Sequence, residues 1–312
     1  MVRDQDVGLR RRSRSGITSV GLMRIGVTFP QTELGGDPGA VRAYGELVDE
    51  LGFTHILVYD HVVGADPTVH APWTGPYDVT TTFHEPFVMF GYLAAITHAE
   101  LVTGIVILPQ RQTALVAKQA AEVDLLTGGR FRLGVGVGWN PVEYEALGQP
   151  FHERGRRMTE QVGLLRRLWT EPVVTHEGAF DRVTAAGLAP LPVQRPIPIW
   201  MGGSSPATYR RIGQLGDGWF PQRRPGDELS AALDQIAEAA MAAGRDPASI
   251  GMEGGIRWDA ADPDRMVRQA DRWRAAGATH LSIDTMYQGL DGVAEHLAAL
   301  RRAADLLGIT PR

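Results

Sequence analysis

Cysteine is absent from this chain of 312 residues, and lysine occurs once, at Lys118. The missing cysteine excludes disulfides, thiolate nucleophiles, iron–sulfur ligation and cysteine-ligated zinc together, and fits a reducing cytoplasm, the expected location. Lys118 lies in a helical stretch rather than at a strand end, which weighs against the Schiff-base chemistry of aldolase-like enzymes. No apolar run is long enough to span a bilayer. The net charge of −5 supplies no basic field to recruit nucleic acid. Spacings for a two-histidine metal site and the G-x-S-x-G elbow of serine hydrolases are also missing, so no metal is expected.

Hydrophobic residues make up 44% of the chain and charged residues 21%, enough apolar side chain for a substantial core. The first 22 residues stand apart. They carry Arg10, Arg11, Arg12 and Arg14 without hydrophobic periodicity or the apolar stretch of a signal peptide. A disordered tail over 1–22, or an upstream start codon with Met23 the natural beginning, is expected, and a basic arm for a partner is the alternative.

From Met23 onward one pattern repeats: an amphipathic stretch ends in glycine, and a short run rich in Val, Ile and Leu comes next. Gly52 leads into THILVYD (54–60), Gly128–Gly129 into RFRLGVGVG (130–138), Gly216 into DGWF (217–220) and Gly277 into THLSID (279–284). Each glycine suits a left-handed helix C-terminus, and each run suits a strand buried on both faces. RIGVTF (24–29), ELVTGIVIL (100–108), IPIWM (197–201) and IGMEGGIRW (250–258) complete eight strands alternating with helices. Alternation at this frequency predicts a parallel sheet closed as a (β/α)₈ TIM barrel, 23–312, with an open doubly wound sheet as the alternative. Between Trp169 and Pro196 a hairpin over Val173–Glu177 and Phe180–Val183 reads as an insertion between strands four and five.

In such a barrel the C-terminal strand ends and the loops after them carry function. This nominates Phe29–Pro30, Asp60–His61, Leu108–Gln112, Gly136–Glu143, Met201–Ser205, Phe220–Gln222, Arg257–Trp258 and Asp284–Met286. The long loop after His61 holds Trp73, Tyr77 and His84 and reads as a lid or a mobile segment. Gly134, Gly136 and Gly138 alternate along one strand face. They serve either tight packing or the approach of a flat ring or phosphate chain, and Trp139 stands where a dinucleotide fingerprint wants a small residue. Gly202-Gly203-Ser204-Ser205 opens a helix and reads either as an ordinary capped helix start or, at the C-terminal end of a barrel strand, as an anion cradle for a phosphate. Asp60–His61 ends strand two, so His61 faces the mouth.

These pieces resemble the luciferase-like monooxygenase superfamily, and more closely its branch using the deazaflavin coenzyme F420. The resemblance runs through RIGVTFP (24–30), GFTHILVYDHV (52–62), the block from Leu101 to Gly148, RPIPIWMGGSS (195–205) and LGDGWFP (215–221). It implies a cofactor ring in the barrel mouth and a non-prolyl cis peptide within Gly104–Ile107, behind that ring. The cofactor contacts it implies are Phe29, Asp60, Gly104, Ile105, Val106, Gln110, Gly136, Val137, Gly138, Trp139, Met201, Gly202, Gly203 and Ser204. His61 matches a ring-adjacent histidine and is the candidate catalytic residue; Trp73, His84 and Trp258 would wall the substrate pocket. One departure stands out: some deazaflavin dehydrogenases place a proton-donating glutamate where this chain has Trp139, and Glu143 lies a helical turn further on.

The reading is hydride transfer between F420 and a small organic substrate. The alternatives are an FMN-dependent, oxygen-using two-component monooxygenase and a catalytically silent cofactor-binding protein. A small-molecule substrate, a flavin or F420 reductase and a second copy in a homodimer are the expected partners.

Overall fold

Each apolar run becomes a short strand whose neighbours in the sheet are also its neighbours in the chain. The strands are β1 (Arg24–Thr28), β2 (His55–Val58), β3 (Glu100–Thr103), β4 (Val106–Ile107), β5 (Phe131–Gly136), β6 (Val174–Glu177), β7 (Arg182–Ala186), β8 (Ile199–Gly202), β9 (Gly218–Phe220), β10 (Gly251–Arg257) and β11 (His280–Asp284). The computed structural model describes residues 23–311, so the expected tail lies outside the described residues. The parallel order β3-β2-β1-β11-β10-β9-β8-β5-β4 closes on itself, because β3 also pairs with β5. With β3 and β4 as two halves of one staggered strand, the ring is an eight-stranded barrel, and the open-sheet alternative is set aside.

The helices α1 (Pro38–Leu51), α2 (Pro86–Leu93), α3 (Thr113–Thr127), α4 (Pro141–Ala146), α5 (Arg154–Thr170), α6 (Pro206–Leu215), α7 (Asp227–Ala242), α8 (Pro263–Ala275) and α9 (Gly292–Leu307) surround it. α1 shows the local logic. Asp37 caps it by accepting from the Gly39 N–H at 2.8 Å, and Pro38 occupies the first turn. Ala40, Val41, Tyr44, Leu47 and Val48 form one buried stripe, and Gly52 ends the helix at φ 84°. Gly128 and Gly277 are likewise left-handed, at 65° and 87°. Gly216 differs: its φ of −82° is extended, so α6 runs directly into β9.

Two boundaries depart from the sequence reading. The third strand is broken at Gly104–Ile105, a non-prolyl cis peptide inside the expected stretch. The hairpin between the fourth and fifth barrel strands has its second arm at Arg182–Ala186 rather than Phe180–Val183.

Alternation along β10 fixes what the lumen contains. Glu253 points inward, where its carboxylate accepts from Arg132 at 2.7 Å and pairs with His55 at 3.0 Å and with Ser282. The Arg132 guanidinium also lies 4.2 Å from the centre of the Trp200 ring. Burial alone would raise the Glu253 carboxyl, but Arg132 and His55 hold it well below the usual range. This charged layer closes the barrel from below. With period two, Gly255 and Arg257 also face inward, while Met252, Gly254 and Ile256 pack outward.

Candidate active site

Above the floor the lumen widens into a cavity of about 1550 Å³ that opens at the C-terminal strand ends. Its two sides differ. One wall is glycine and aliphatic, built from Gly104, Ile105, Ile107, Gly136 and Gly202. Added β-carbons at Gly134, Gly136 and Gly138 would collide with Thr103, Ile105 and Ile107, so these glycines first serve close packing of β5 against β3 and β4. Gly255 is different: a β-carbon there would meet nothing within 4 Å, so its absent side chain leaves open lumen.

At the rim of that wall the chain turns into α6. Ser205 is the cap, accepting from the Thr208 N–H at 3.2 Å, and Pro206 fills the first helical position. Gly203 sits at φ 129°, and its carbonyl accepts from the Trp219 indole at 3.0 Å. Among the described residues the N–H groups of Gly203, Ser204, Gly138 and Trp139 donate to no protein acceptor. Unpaired amides beside a helix N-terminus form an anion site, because the helix dipole and the free donors act together.

His61 leaves the end of β2 and meets Glu143 on α4. Glu143 is fully buried and accepts three times: from His61 Nδ1 at 3.3 Å, the Val62 N–H at 2.5 Å and Gln110 Nε2 at 3.1 Å. Burial by itself would raise this carboxyl, but these donors bring it below its ordinary value, so it is ionised. An ionised carboxylate only accepts, so His61 carries a proton on Nδ1, and in the neutral ring Nε2 is left as an acceptor. Phe83, Tyr77 and Trp139 surround the ring at centroid distances of 4.7, 5.2 and 5.8 Å. Trp73 packs on Trp139 at 5.5 Å and donates to the Tyr77 carbonyl at 3.0 Å. These contacts stitch the long loop to the end of β5.

The opposite arc is polar. In register, Arg257 pairs with Asp284 and Asp284 with Thr28, so three adjacent strands present their inward side chains at one level of the cavity. Burial pushes the Asp284 carboxyl up to about 6, against the pull of the Met286 N–H and Arg257.

Of the residues expected at the site, His61, Asp60, Gly104, Ile105, Gly136, Val137, Gly138, Trp139, Gly202, Gly203, Ser204 and Trp258 line the cavity. Asp60 is held by Arg111 at 2.8 Å and by the Ile107 N–H at 3.2 Å. Phe29, Val106 and Met201 do not line it. Each alternates with an inward residue, and all three are fully buried in the core. Gln110 stands behind His61, on Glu143. Trp73 reaches the cavity only through Trp139, and His84 packs edge-on against Phe29 at 5.9 Å. The sequence marks Arg257 and Asp284 only as strand ends. The signal that singles them out is polarity at alternate positions, Glu253 then Arg257 and Ser282 then Asp284, in otherwise apolar strands.

Comparison with known proteins places this geometry among relatives. The family model for luciferase-like monooxygenases matches residues 20–306. An F420-dependent glucose-6-phosphate dehydrogenase of Intrasporangium calvum is 35% identical over 209 residues, 62% of this chain and 58% of that protein. An FMNH2-dependent dimethylsulfone monooxygenase of Pseudomonas putida is 34% identical over 165 residues, 52% of this chain and 46% of that protein. The chain thus spans about half the length of these curated relatives. The fold matches that of a coenzyme F420-dependent tetrahydromethanopterin reductase from Methanopyrus kandleri, with a TM-score of 0.73 at 15% identity over 91% of this chain and 98% of that one.

Proposed function

Because the chain belongs to the luciferase-like monooxygenase family, whose members are oxidoreductases dependent on F420 or FMN, we propose that it is an F420-dependent oxidoreductase acting on a small organic substrate. The observation that carries this reading is the pairing of an open lumen at Gly255 with unpaired amides at Gly203, Ser204, Gly138 and Trp139. A flat tricyclic ring needs the first, and the phosphate of its side chain needs the second. Gly104, Ile105 and Gly136 would flank the ring, and Gly202–Ser204 would hold the phosphate. When bound, the cofactor supplies the redox chemistry, while the protein supplies orientation and electrostatics.

This chain's own residues then divide the remaining work. His61 offers Nε2 to a ring or substrate atom, and Glu143 fixes which nitrogen is free. Glu143 is too deeply paired to donate a proton itself, so it positions His61 and does not replace the glutamate that some relatives carry where Trp139 stands. Trp139, Tyr77 and Phe83 exclude water from the imidazole.

The FMN reading is supported by the Pseudomonas putida relative, at nearly equal identity over a shorter stretch. It would add a reductase partner delivering reduced flavin. Titrating the purified chain separately with F420 and with FMN, and following ring fluorescence, tests both. Saturable F420 binding is expected. Binding of FMN alone overturns the deazaflavin assignment, and binding of neither overturns the redox reading. His61→Ala is expected to cut turnover strongly while leaving cofactor binding and melting temperature near wild type.

A further inference from the structure

Arg257 and Asp284 present an anomaly. They are register partners on β10 and β11, face the same cavity, and carry opposite formal charges. Neighbouring strands lie about 4.8 Å apart, so the two side chains are within reach of each other. Yet they make no ion pair, and Arg257 has no hydrogen-bond or salt-bridge partner among the described residues. Asp284 uses one carboxyl oxygen, Oδ1, to accept from the Met286 N–H at 2.8 Å, and Oδ2 has no partner. The floor below shows what this barrel does with charges needed for structure: Glu253 is paired on every side. An unpaired guanidinium and a half-free carboxyl on one wall are groups left for a ligand.

We propose that Arg257 and Asp284 form the recognition site for a small organic acid, Arg257 binding its carboxylate and Asp284 the adjacent hydroxyl or carbonyl oxygen. The polar arc faces the glycine and aliphatic wall across the lumen, so a substrate here lies opposite the surface that suits a flat ring. The substrate assignment rests on the oxidoreductase reading; the binding pair does not. The carboxyl of Asp284 titrates at about pH 6, so it accepts from a hydroxyl above that value and donates to a carbonyl below it. The groups facing it are Arg257 from β10, Glu33 from the loop after β1, Tyr44 of α1, Tyr59 at the end of β2 and Tyr77 from the long loop; the Glu33 carboxyl lies 3.1 Å from Nε2 of His296 on α9.

The test uses mandelate and its uncharged counterpart 1-phenylethane-1,2-diol, titrated calorimetrically at low ionic strength with and without bound cofactor. Mandelate is expected to bind roughly ten- to a hundredfold more tightly than the diol, the worth of a charge-assisted bond. Arg257→Leu is expected to abolish that preference and Arg257→Lys to keep part of it. Wild type is expected to bind mandelate more tightly at pH 5 than at pH 7.5, since an ionised Asp284 repels the anion; Asp284→Asn is expected to flatten this dependence. Melting curves confirm that each variant is folded. Equal affinity for the two probes, or a preference that survives Arg257→Leu, overturns the carboxylate site. An unchanged pH profile in Asp284→Asn removes Asp284 and points to Glu33 and His296. A chain that prefers mandelate but binds neither cofactor keeps the pair and loses the redox reading; one that binds cofactor without the preference does the reverse.

Discussion

Replacing Glu143 with glutamine tests the link between α4 and the candidate catalytic histidine. In the wild type, Oε1 accepts from the Val62 N–H, and Oε2 accepts from both His61 Nδ1 and Gln110 Nε2. Glutamine keeps one acceptor and turns the other position into an NH2 group. With its oxygen retained on Val62, the new NH2 faces His61 and the Gln110 amide. It donates to His61 Nδ1, which drives the imidazole proton to Nε2, so the cavity-facing nitrogen changes from acceptor to donor. The Gln110 NH2 is left opposite another donor, in a site without solvent, at a cost of about 1–3 kcal/mol. A chain of 312 residues unfolds with an entropy of about 0.6 kcal/mol/K, so the melting temperature should fall by roughly 2–5 °C. Long-range proton–nitrogen spectra of the histidine rings read the tautomer, and calorimetry reads the stability. If Glu143→Gln kept the proton on Nδ1 and melted with the wild type, His61 would not depend on Glu143, and the proposed positioning role would be wrong.

Three further outcomes are expected. Glu253→Ala takes the closest carboxylate from the Arg132 guanidinium, only 2% exposed, and leaves it Glu100 alone, at 3.3 Å. The expected loss is about 3–5 kcal/mol, or roughly 5–8 °C in a thermal melt, and an unchanged midpoint would show that the layer bears no stabilising charge pair. Gly255→Leu should grow into the lumen from a β-carbon that meets nothing within 4 Å, keeping the midpoint within about 1 °C while eliminating cofactor binding; retained binding would place the ring elsewhere. Asp284 has a folded value of about 6 against an ordinary 3.8, so the protonated form is the one favoured by folding. That stability is complete below pH 3.8 and is lost as pH rises through about 6. Asp284→Asn should therefore gain up to about 3 kcal/mol on wild type at pH 7.5, relative to their difference at pH 4. Parallel stability profiles from pH 4 to 7.5 would refute the shift.

The barrel is legible in the sequence because its signals are local. Gly52, Gly128 and Gly277 close helices in the left-handed conformation, and runs such as HILV and LSID can only be strands buried on both faces. Gly216 carries the same sequence signal without that conformation, since its backbone is set by the immediate entry of the chain into β9. The candidate site is legible only as a set of strand ends. His61 and Glu143 are 82 residues apart, and Arg132 and Glu253 are 121 apart; no spacing rule links them, because barrel closure brings them together. Phe29, Val106 and Met201 owe their place among the expected contacts to their neighbours in the chain. Period-two alternation puts them on the opposite face, a distinction that needs the phase of each strand as well as its position.

The layer of Glu253, Arg132, His55 and Trp200 makes the lumen a cul-de-sac. A blind tunnel imposes an itinerary on its visitors. Whatever settles deeper must come in earlier and depart later, and a second molecule seated nearer the mouth blocks its exit. Compulsory sequence in binding and release would then be a property of the architecture, set by four buried side chains that touch neither visitor's reacting atoms.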